Sequence, residues 1–252
     1  MGGFYETDRA VSEYLFFHYG DQRKLLPWDF GPASALNYPV RCVTELLDTN
    51  RLSDGVRALD LGCAVGRSTF ELARHCETVV GIDFSHRFAE EGQRLQQKGS
   101  APCAYTIEGD LTVQATVAVD ADIDRARVSF EQGDATQLRA DLGQFDVVLM
   151  ANLLCRLPDP RACLERMRAT VKPGGQMLIT TPCTWMEEYT PKEKWLGGFQ
   201  RDGREVRTLD SLKQILGEAF ELDARKDLPF LIREHERKFQ WTVAEGTRWI
   251  RR

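Results

Sequence analysis

Val56-Arg57-Ala58-Leu59-Asp60-Leu61-Gly62-Cys63-Ala64-Val65-Gly66-Arg67 is the stretch whose reading decides the fold. A short aliphatic and β-branched run, Val56 to Leu61, meets a small turn containing glycine. The turn feeds an apolar helix that begins near Ser68. Strand, tight loop and helix N-terminus in this order make the ligand-binding start of an open α/β sheet. Gly62 and Gly66 let the backbone turn sharply and approach a ligand closely. Ala64 between them is nearly as small.

A dinucleotide site reads G-x-G-x-x-G and aims a helix N-terminus at a pyrophosphate. Here the pattern is D-x-G-x-A-x-G, with Asp60 two residues before the first glycine. A carboxylate there repels a pyrophosphate and suits an ammonium group. S-adenosylmethionine (SAM) carries an ammonium and a sulfonium and no phosphate. At this point the chain resembles a class I SAM-dependent methyltransferase. Taken alone, the motif also fits a structural βα turn in some other α/β protein.

Working outward on the C-terminal side, Glu77 to Asp83 reads as strand 2. Asp83 lies 17 residues beyond Gly66, near where such folds place the acid that holds ribose hydroxyls. His86 to Lys98 is a helix. Residues 100–127 exceed an ordinary connection, and alternation at Tyr105 to Ile107 and Val113 to Val119 predicts an inserted hairpin before strand 3. Asp120, Asp122 and Asp124 follow without the glycine and closing glutamate of a calcium loop, so they read as a solvated loop. Val128 to Glu131 is strand 3, and Asp134 stands just past it. Phe145 to Met150 is strand 4, a continuous apolar run as in a central parallel strand. Asn152 and Arg156 follow its end. A helix spans Arg161 to Val171, Pro173-Gly174-Gly175 is a turn, and Gln176 to Thr181 is strand 5. Pro182 to Arg207 reads as a long aromatic and charged loop. A helix capped by Thr208 or Asp210 comes next. Phe220 to Arg233 and Lys238 to Ile250 form a closing antiparallel pair.

On the N-terminal side, Glu6 to Gly20 reads as a helix with Val11, Tyr14, Leu15 and His18 on one face. Asp21 to Ala35 is a loop. A second helix has Pro39 in its first turn. These helices precede the first strand and are expected to lie over the ligand face. The expected architecture is therefore α/β: a class I methyltransferase, Rossmann-like, seven-stranded sheet with N-terminal lid helices. Residues 1–252 form one domain, with the lid at 1–52 and the core at 53–252.

The formal charge of −5 argues against a broad nucleic-acid surface, and no apolar run is long enough to span a membrane. The start, Met1-Gly2-Gly3-Phe4-Tyr5-Glu6, fits neither a secretory nor a myristoylation pattern. Seven scattered cysteines without C-x-x-C favour reduced thiols in a cytoplasmic protein over a disulfide scaffold or a metal site.

Further segments sharpen the resemblance. They are Tyr5-Glu6-Thr7-Asp8, Glu13 to Gly20, Tyr38 to Cys42, Leu59 to Arg67, Ala151 to Leu157, Thr184-Trp185, Trp195 to Phe199, Pro229 to His235 and Lys238 to Trp241. Together they resemble the methyltransferase of ovothiol biosynthesis, the 4-mercaptohistidine (5-thiohistidine) N1-methyltransferase. Cys183 departs from the aromatic expected before Thr184-Trp185. The resemblance implies that SAM and 5-thiohistidine give ovothiol A and S-adenosylhomocysteine, with the methyl on the ring nitrogen nearer the side chain. In many relatives the domain follows a sulfoxide synthase. Nothing precedes it here, so the chain is expected to act after a separate one, on a small molecule and away from nucleic acid and membrane.

Residue roles follow from that chemistry. Asp60, Gly62, Cys63, Ala64 and Gly66 are expected at the methionine part of SAM, Asp83 and Phe84 at the ribose, and Asp134 with Ala135 at the adenine. Arg41 is a candidate for the cofactor carboxylate, and Asn152 for the methyl end. The ring must lose a proton for its nitrogen to attack, so a general base is expected. His18, whose unperturbed pKa is in the useful range, is the first candidate, with Tyr14 and Tyr38 orienting the ring. Arg156 or Arg233 would hold the amino-acid carboxylate. Trp185 and Tyr189 would close the pocket and stack on the imidazole. Competing readings are another small-molecule N- or O-methyltransferase and a non-catalytic SAM-binding subunit.

Overall fold

The computed structural model describes residues 3–252, so the opening Met1-Gly2 of the N-terminal pattern lies outside the described residues. Helix α1 (Asp8–Tyr19) starts at Thr7, whose side chain accepts from the Ala10 N–H, and stops at Gly20. The stretch expected as plain loop holds a one-turn helix, α2 (Gln22–Leu25), because Asp21 caps it through the Arg23 and Lys24 N–H groups. Helix α3 (Tyr38–Thr44) carries Pro39 in its first turn.

The core then alternates. Strand β1 (Arg57–Leu61) leads through the glycine turn to α4 (Arg67–Leu72). Strand β2 (Thr78–Asp83) leads to α5 (His86–Lys98). The inserted hairpin is β3 (Ser100–Glu108) with β4 (Leu111–Ala118). Strands β5 (Val128–Gln132) and β6 (Phe145–Ala151) precede α6 (Pro160–Thr170) and β7 (Val171–Thr181). Strand β7 starts five residues earlier than read, and Pro173-Gly174-Gly175 is a bulge inside it, where pairing jumps from Phe145–Val171 to Val147–Gln176.

The presumed loop after β7 contains another small hairpin, β8 (Phe199–Arg201) and β9 (Arg204–Val206). Its signal is Asp202-Gly203, both with positive φ, a two-residue turn whose twist suits a hairpin. Helix α7 (Thr208–Leu216) has no side-chain cap, because the Thr208 hydroxyl instead accepts from the Trp185 indole. Strands β10 (Phe220–His235) and β11 (Lys238–Arg251) close the chain.

The seven-stranded sheet runs β10-β11-β7-β6-β1-β2-β5, with β11 antiparallel to both neighbours and the other pairs parallel. Apolar layers cover both faces. One is built from Val11, Leu15, Val43, Phe70 and Val79, the other from Leu59, Leu164, Met167, Leu212 and Trp249. Strand order reverses between β1 and β6, and ligands of open α/β sheets bind at the carboxyl ends beside such a reversal. Helices α1 and α3 pack over that end. The hairpin β3–β4 backs α1, with Phe16 stacked on Tyr105 at 4.2 Å between centroids. Asp120 and Asp122 pair with Arg74, and Asp120 also with Arg67, so this acidic stretch ties the hairpin end to α4.

Candidate active site

A cavity of ≈ 330 Å³ opens at the carboxyl ends of β1, β2, β5 and β6 under the N-terminal helices. The β1 turn forms its floor. Gly62 and Gly66 both have positive φ, and a Cβ on Gly62 would come within 2.7 Å of Leu153 Cδ1. Ala64, at φ 47, takes a left-handed conformation uncommon for a residue with a side chain. It is held there by the Asp83 carboxylate, which accepts the Ala64 N–H at 2.8 Å and the Ser85 N–H at 2.9 Å. Burial raises the Asp83 pKa to about 6 against those two bonds, with the Glu6 charge adding to the rise.

Asp60 is 1% exposed. Its Oδ2 accepts from the Thr69 hydroxyl at 2.8 Å, while Oδ1 is buried without a partner. Burial pushes its pKa up to about 7; the Thr69 bond opposes the rise and the Asp83 charge adds to it. A buried carboxylate oxygen without a donor is costly, and a cationic donor from a ligand would relieve it. Also lining the cavity, Asp134 has its Oδ1 accepting from the N–H and hydroxyl of Thr136, both at 2.7 Å.

The opposite wall is aromatic. Tyr5, Tyr14, Phe17, Tyr38, Phe88, Tyr189 and Phe230 line it. Tyr14 lies 4.8 Å from Phe88 and Tyr38 4.7 Å from Phe230 between centroids. His18 lines the cavity among them with Nδ1 unpartnered. Burial, reinforced by the Arg67 charge, lowers its pKa to about 3. The expected proton-accepting pKa is therefore not what the fold supplies: the ring is neutral across the physiological range and only weakly basic. Arg156 is the cation of this wall, lying 4.7 Å over the Tyr189 ring and donating to the carbonyls of Cys155 and Thr184. Burial also raises the Tyr14 and Tyr38 pKa values well above the usual phenol value, so both hydroxyls keep their protons.

An N-terminal strap completes the mouth. Glu6 accepts the N–H groups of His86 and Arg87 at the start of α5, and the Tyr5 carbonyl accepts from the Ser85 hydroxyl at 3.0 Å. Asp8 pairs with Arg87. The Tyr5 ring packs on Tyr14, Phe88 and Tyr189.

Of the residues singled out in the sequence, the cavity gathers His18, Tyr14, Tyr38, Asp60, Gly62, Cys63, Ala64, Asp83, Phe84, Asp134, Ala135, Asn152, Arg156 and Tyr189. Four do not line it. Arg41 pairs with Glu45 and donates to the Pro229 carbonyl at 2.8 Å, fastening α3 to β10 instead of reaching the cofactor side. Trp185 is buried among the residues under α7, its indole on Thr208. Arg233 is packed over Phe16 and Tyr105 and donates to the carbonyls of Lys24 and Thr106, so its charge joins α2, the β3–β4 hairpin and β10. Gly66 shapes the turn from behind, pressed against Phe130. The sequence reading gave no site role to Tyr5, Glu6, Phe17, Phe88, Phe230 or Ile232, whose side chains reach the cavity from four separate stretches.

The family's sequence model, described as a methyltransferase domain, matches residues 34–224, and the chain belongs to that family. It thus carries a class I SAM-dependent methyltransferase domain built on a Rossmann-like sheet. The chain is 24% identical over 191 residues to phosphoethanolamine N-methyltransferase 3 of Arabidopsis thaliana, covering 75% of this chain and 34% of that protein. It is 30% identical over 159 residues to the ubiquinone biosynthesis O-methyltransferase of Pseudomonas aeruginosa (strain LESB58), covering 61% and 56%. The chain thus spans between about a third and just over half the length of these curated relatives. Among solved structures, magnesium protoporphyrin IX methyltransferase (ChlM) from Synechocystis PCC 6803 with bound SAM aligns with a TM-score of 0.52 and 16% identity over 98% of both chains. The [4+2]-cyclase SpnF aligns with a TM-score of 0.55 and 18% identity over 90% of this chain and 74% of its own. These structural likenesses are likenesses of fold.

The residues present fit SAM: the unpartnered Asp60 Oδ1, the left-handed Gly62 and Ala64 of the turn and the two further carboxylates, Asp83 and Asp134, are all in one cavity. Among the described residues, no group of three or more His, Cys, Asp or Glu is placed to hold a metal, and no helix is long and apolar enough to cross a membrane.

Proposed function

We propose that this chain transfers a methyl group from SAM to the imidazole nitrogen of 5-thiohistidine nearer the side chain, giving ovothiol A and S-adenosylhomocysteine. SAM supplies a methyl carbon already activated by its sulfonium, so the protein's task is alignment and control of protons. In this reading Asp60 and the turn from Gly62 to Ala64 hold the methionine ammonium and carboxylate end. Asp83 holds the ribose, and Asp134 with Ala135 the adenine.

The observation that carries the substrate reading is Arg156, stacked on Tyr189 at the edge of an aromatic-walled cavity. A flat ring fits between Tyr14, Phe17, Tyr38 and Phe230, while an amino-acid carboxylate meets the guanidinium. His18, neutral and largely enclosed, acts here as a polar wall of the ring site. With so weak a base, the ring proton leaves to water or through the substrate's own thiolate.

The substrate would be supplied by a sulfoxide synthase. Six buried free thiols, with only Cys183 exposed, suit a reducing compartment, and we place the enzyme in the cytoplasm. The test is mass spectrometry of the product after mixing the protein with SAM and 5-thiohistidine, beside histidine. An N-methylated thiohistidine is expected. Preference for histidine or a phenol would instead favour another small-molecule N- or O-methyltransferase.

A further inference from the structure

The side-chain amide of Asn152 has one end committed and the other free. Its Oδ1 accepts from the Tyr38 hydroxyl at 2.8 Å and from the Thr180 hydroxyl at 3.1 Å. Thr180 Oγ1 itself accepts the Asn152 backbone N–H at 3.1 Å, which leaves the threonine proton to be given away. The two hydroxyls are 2.7 Å apart. Each hydroxyl has one proton, so one of them donates to the other and the second donates to Oδ1. The amide cannot turn its oxygen to a ligand without abandoning that donor. Its Nδ2 donates to no protein acceptor and is not sealed in, and Asn152 lines the cavity. The residue stands at φ 54 just past β6, at the reversal of strand order and next to Leu153, which packs on Gly62.

We propose that Asn152 offers the substrate N–H donors only, and that this selects a small ring bearing an anionic sulfur or oxygen acceptor. The inference rests on the small-molecule methyltransferase reading of this cavity. Tyr38 and Thr180 are the positioning residues that fix the amide. For 5-thiohistidine the acceptor is the thiolate. Sulfur is a softer nucleophile than the ring nitrogen, so an N–H donor on one of its lone pairs restrains it from the methyl carbon and leaves the nitrogen to attack. Histidine lacks the acceptor and leaves the donor unpaired once its ring covers it, which a polar site penalises strongly.

Asn152→Asp tests this. Asp tolerates the same left-handed backbone and keeps one oxygen for Tyr38 and Thr180, but replaces the donors by a second oxygen. Binding of 5-thiohistidine and of histidine to the protein loaded with S-adenosylhomocysteine is measured by calorimetry, and the methylation site by mass spectrometry. The wild type is expected to bind the sulfur-bearing ring about 10-fold or more tightly than histidine. The variant is expected to lose that preference and shift methyl toward sulfur. Equal binding of the two rings by the wild type, no binding of the sulfur-bearing ring, or an unchanged preference in the variant overturns the donor subsite. Selective binding of 5-thiohistidine without turnover sinks the proposed reaction and leaves the subsite standing.

Discussion

Tyr38, on the second lid helix, and Asn152, just beyond the central strand β6, are joined by a 2.8 Å hydrogen bond. The residues lie 114 positions apart in the chain. Lid and sheet are therefore registered to each other at the cavity wall. Tyr38→Phe removes the phenol and leaves the aromatic packing on Phe230. The variant is expected to lose about 1–1.5 kcal/mol in urea unfolding and to show a larger drop in kcat than in cofactor affinity.

With Asp60 as the proposed partner of the cofactor's ammonium group, cofactor binding is expected to have a defined pH profile. An ammonium ligand requires the ionised carboxylate, whose pKa in the free protein is raised to about 7 by burial. Below that, binding must expel a proton, so affinity falls by up to about tenfold per pH unit. Above about 8 the α-amino group of SAM loses its own proton. Calorimetric affinity is therefore expected to peak between these values. In Asp60→Asn the acid limb disappears and affinity at the optimum falls. An unchanged acid limb would move the proton release to another group.

His18 contributes stability that depends on pH in the opposite sense to a salt-bridged histidine. Its folded pKa of about 3 lies below the unfolded value, so the unfolded chain takes up the proton first as the solution is acidified. The contribution is complete above about pH 6.5 and shrinks as pH falls toward 3. Asp60 and Asp83, with raised pKa values, act against this trend in the same window. The difference between wild type and His18→Leu isolates the histidine. Between pH 7 and 4.5 the wild type should lose about 2 kcal/mol more than the variant in denaturant titrations. Activity should show no limb from this ring between pH 5 and 8.

Glu6 closes the start of α5 from another part of the chain, accepting two N–H groups that a helix leaves open. Glu6→Ala should cost about 1 kcal/mol locally. Amide exchange at His86 and Arg87 should quicken by roughly fivefold, and the KM for the methyl acceptor should rise because Tyr5 loses its anchor. Unaltered exchange would mean the strap is held by the Tyr5–Ser85 and Asp8–Arg87 contacts alone.

The sheet was legible because its signals are local. A glycine turn after an aliphatic run, an acid ending the next strand and a continuous apolar β6 each declare themselves within ten residues. The left-handed pair Asp202-Gly203 was equally local, yet its strands are three residues long and carry no hydrophobic alternation, so they merged with the surrounding loop. Arg41, Trp185 and Arg233 fared differently. Each is a residue type that often contacts ligands, but a partner distant in sequence claims each one: the Pro229 carbonyl, the Thr208 hydroxyl, and the carbonyls of Lys24 and Thr106. Helical periodicity says which residues share a face of α3, not which strand that face will meet. The aromatic wall was hard to see for the same reason, since Tyr5, Phe88 and Phe230 come together only when strap, α5 and β10 converge.

Because Tyr5 and Glu6 wall the same cavity as Asp60 and Asp83, anything that fills it is also in contact with the first few residues described. Occupancy and the anchoring of the chain's beginning are thereby one equilibrium. The N-terminal segment is therefore expected to work as a gauge: its resistance to a protease should report how full the cavity is, with no need to follow the chemistry inside.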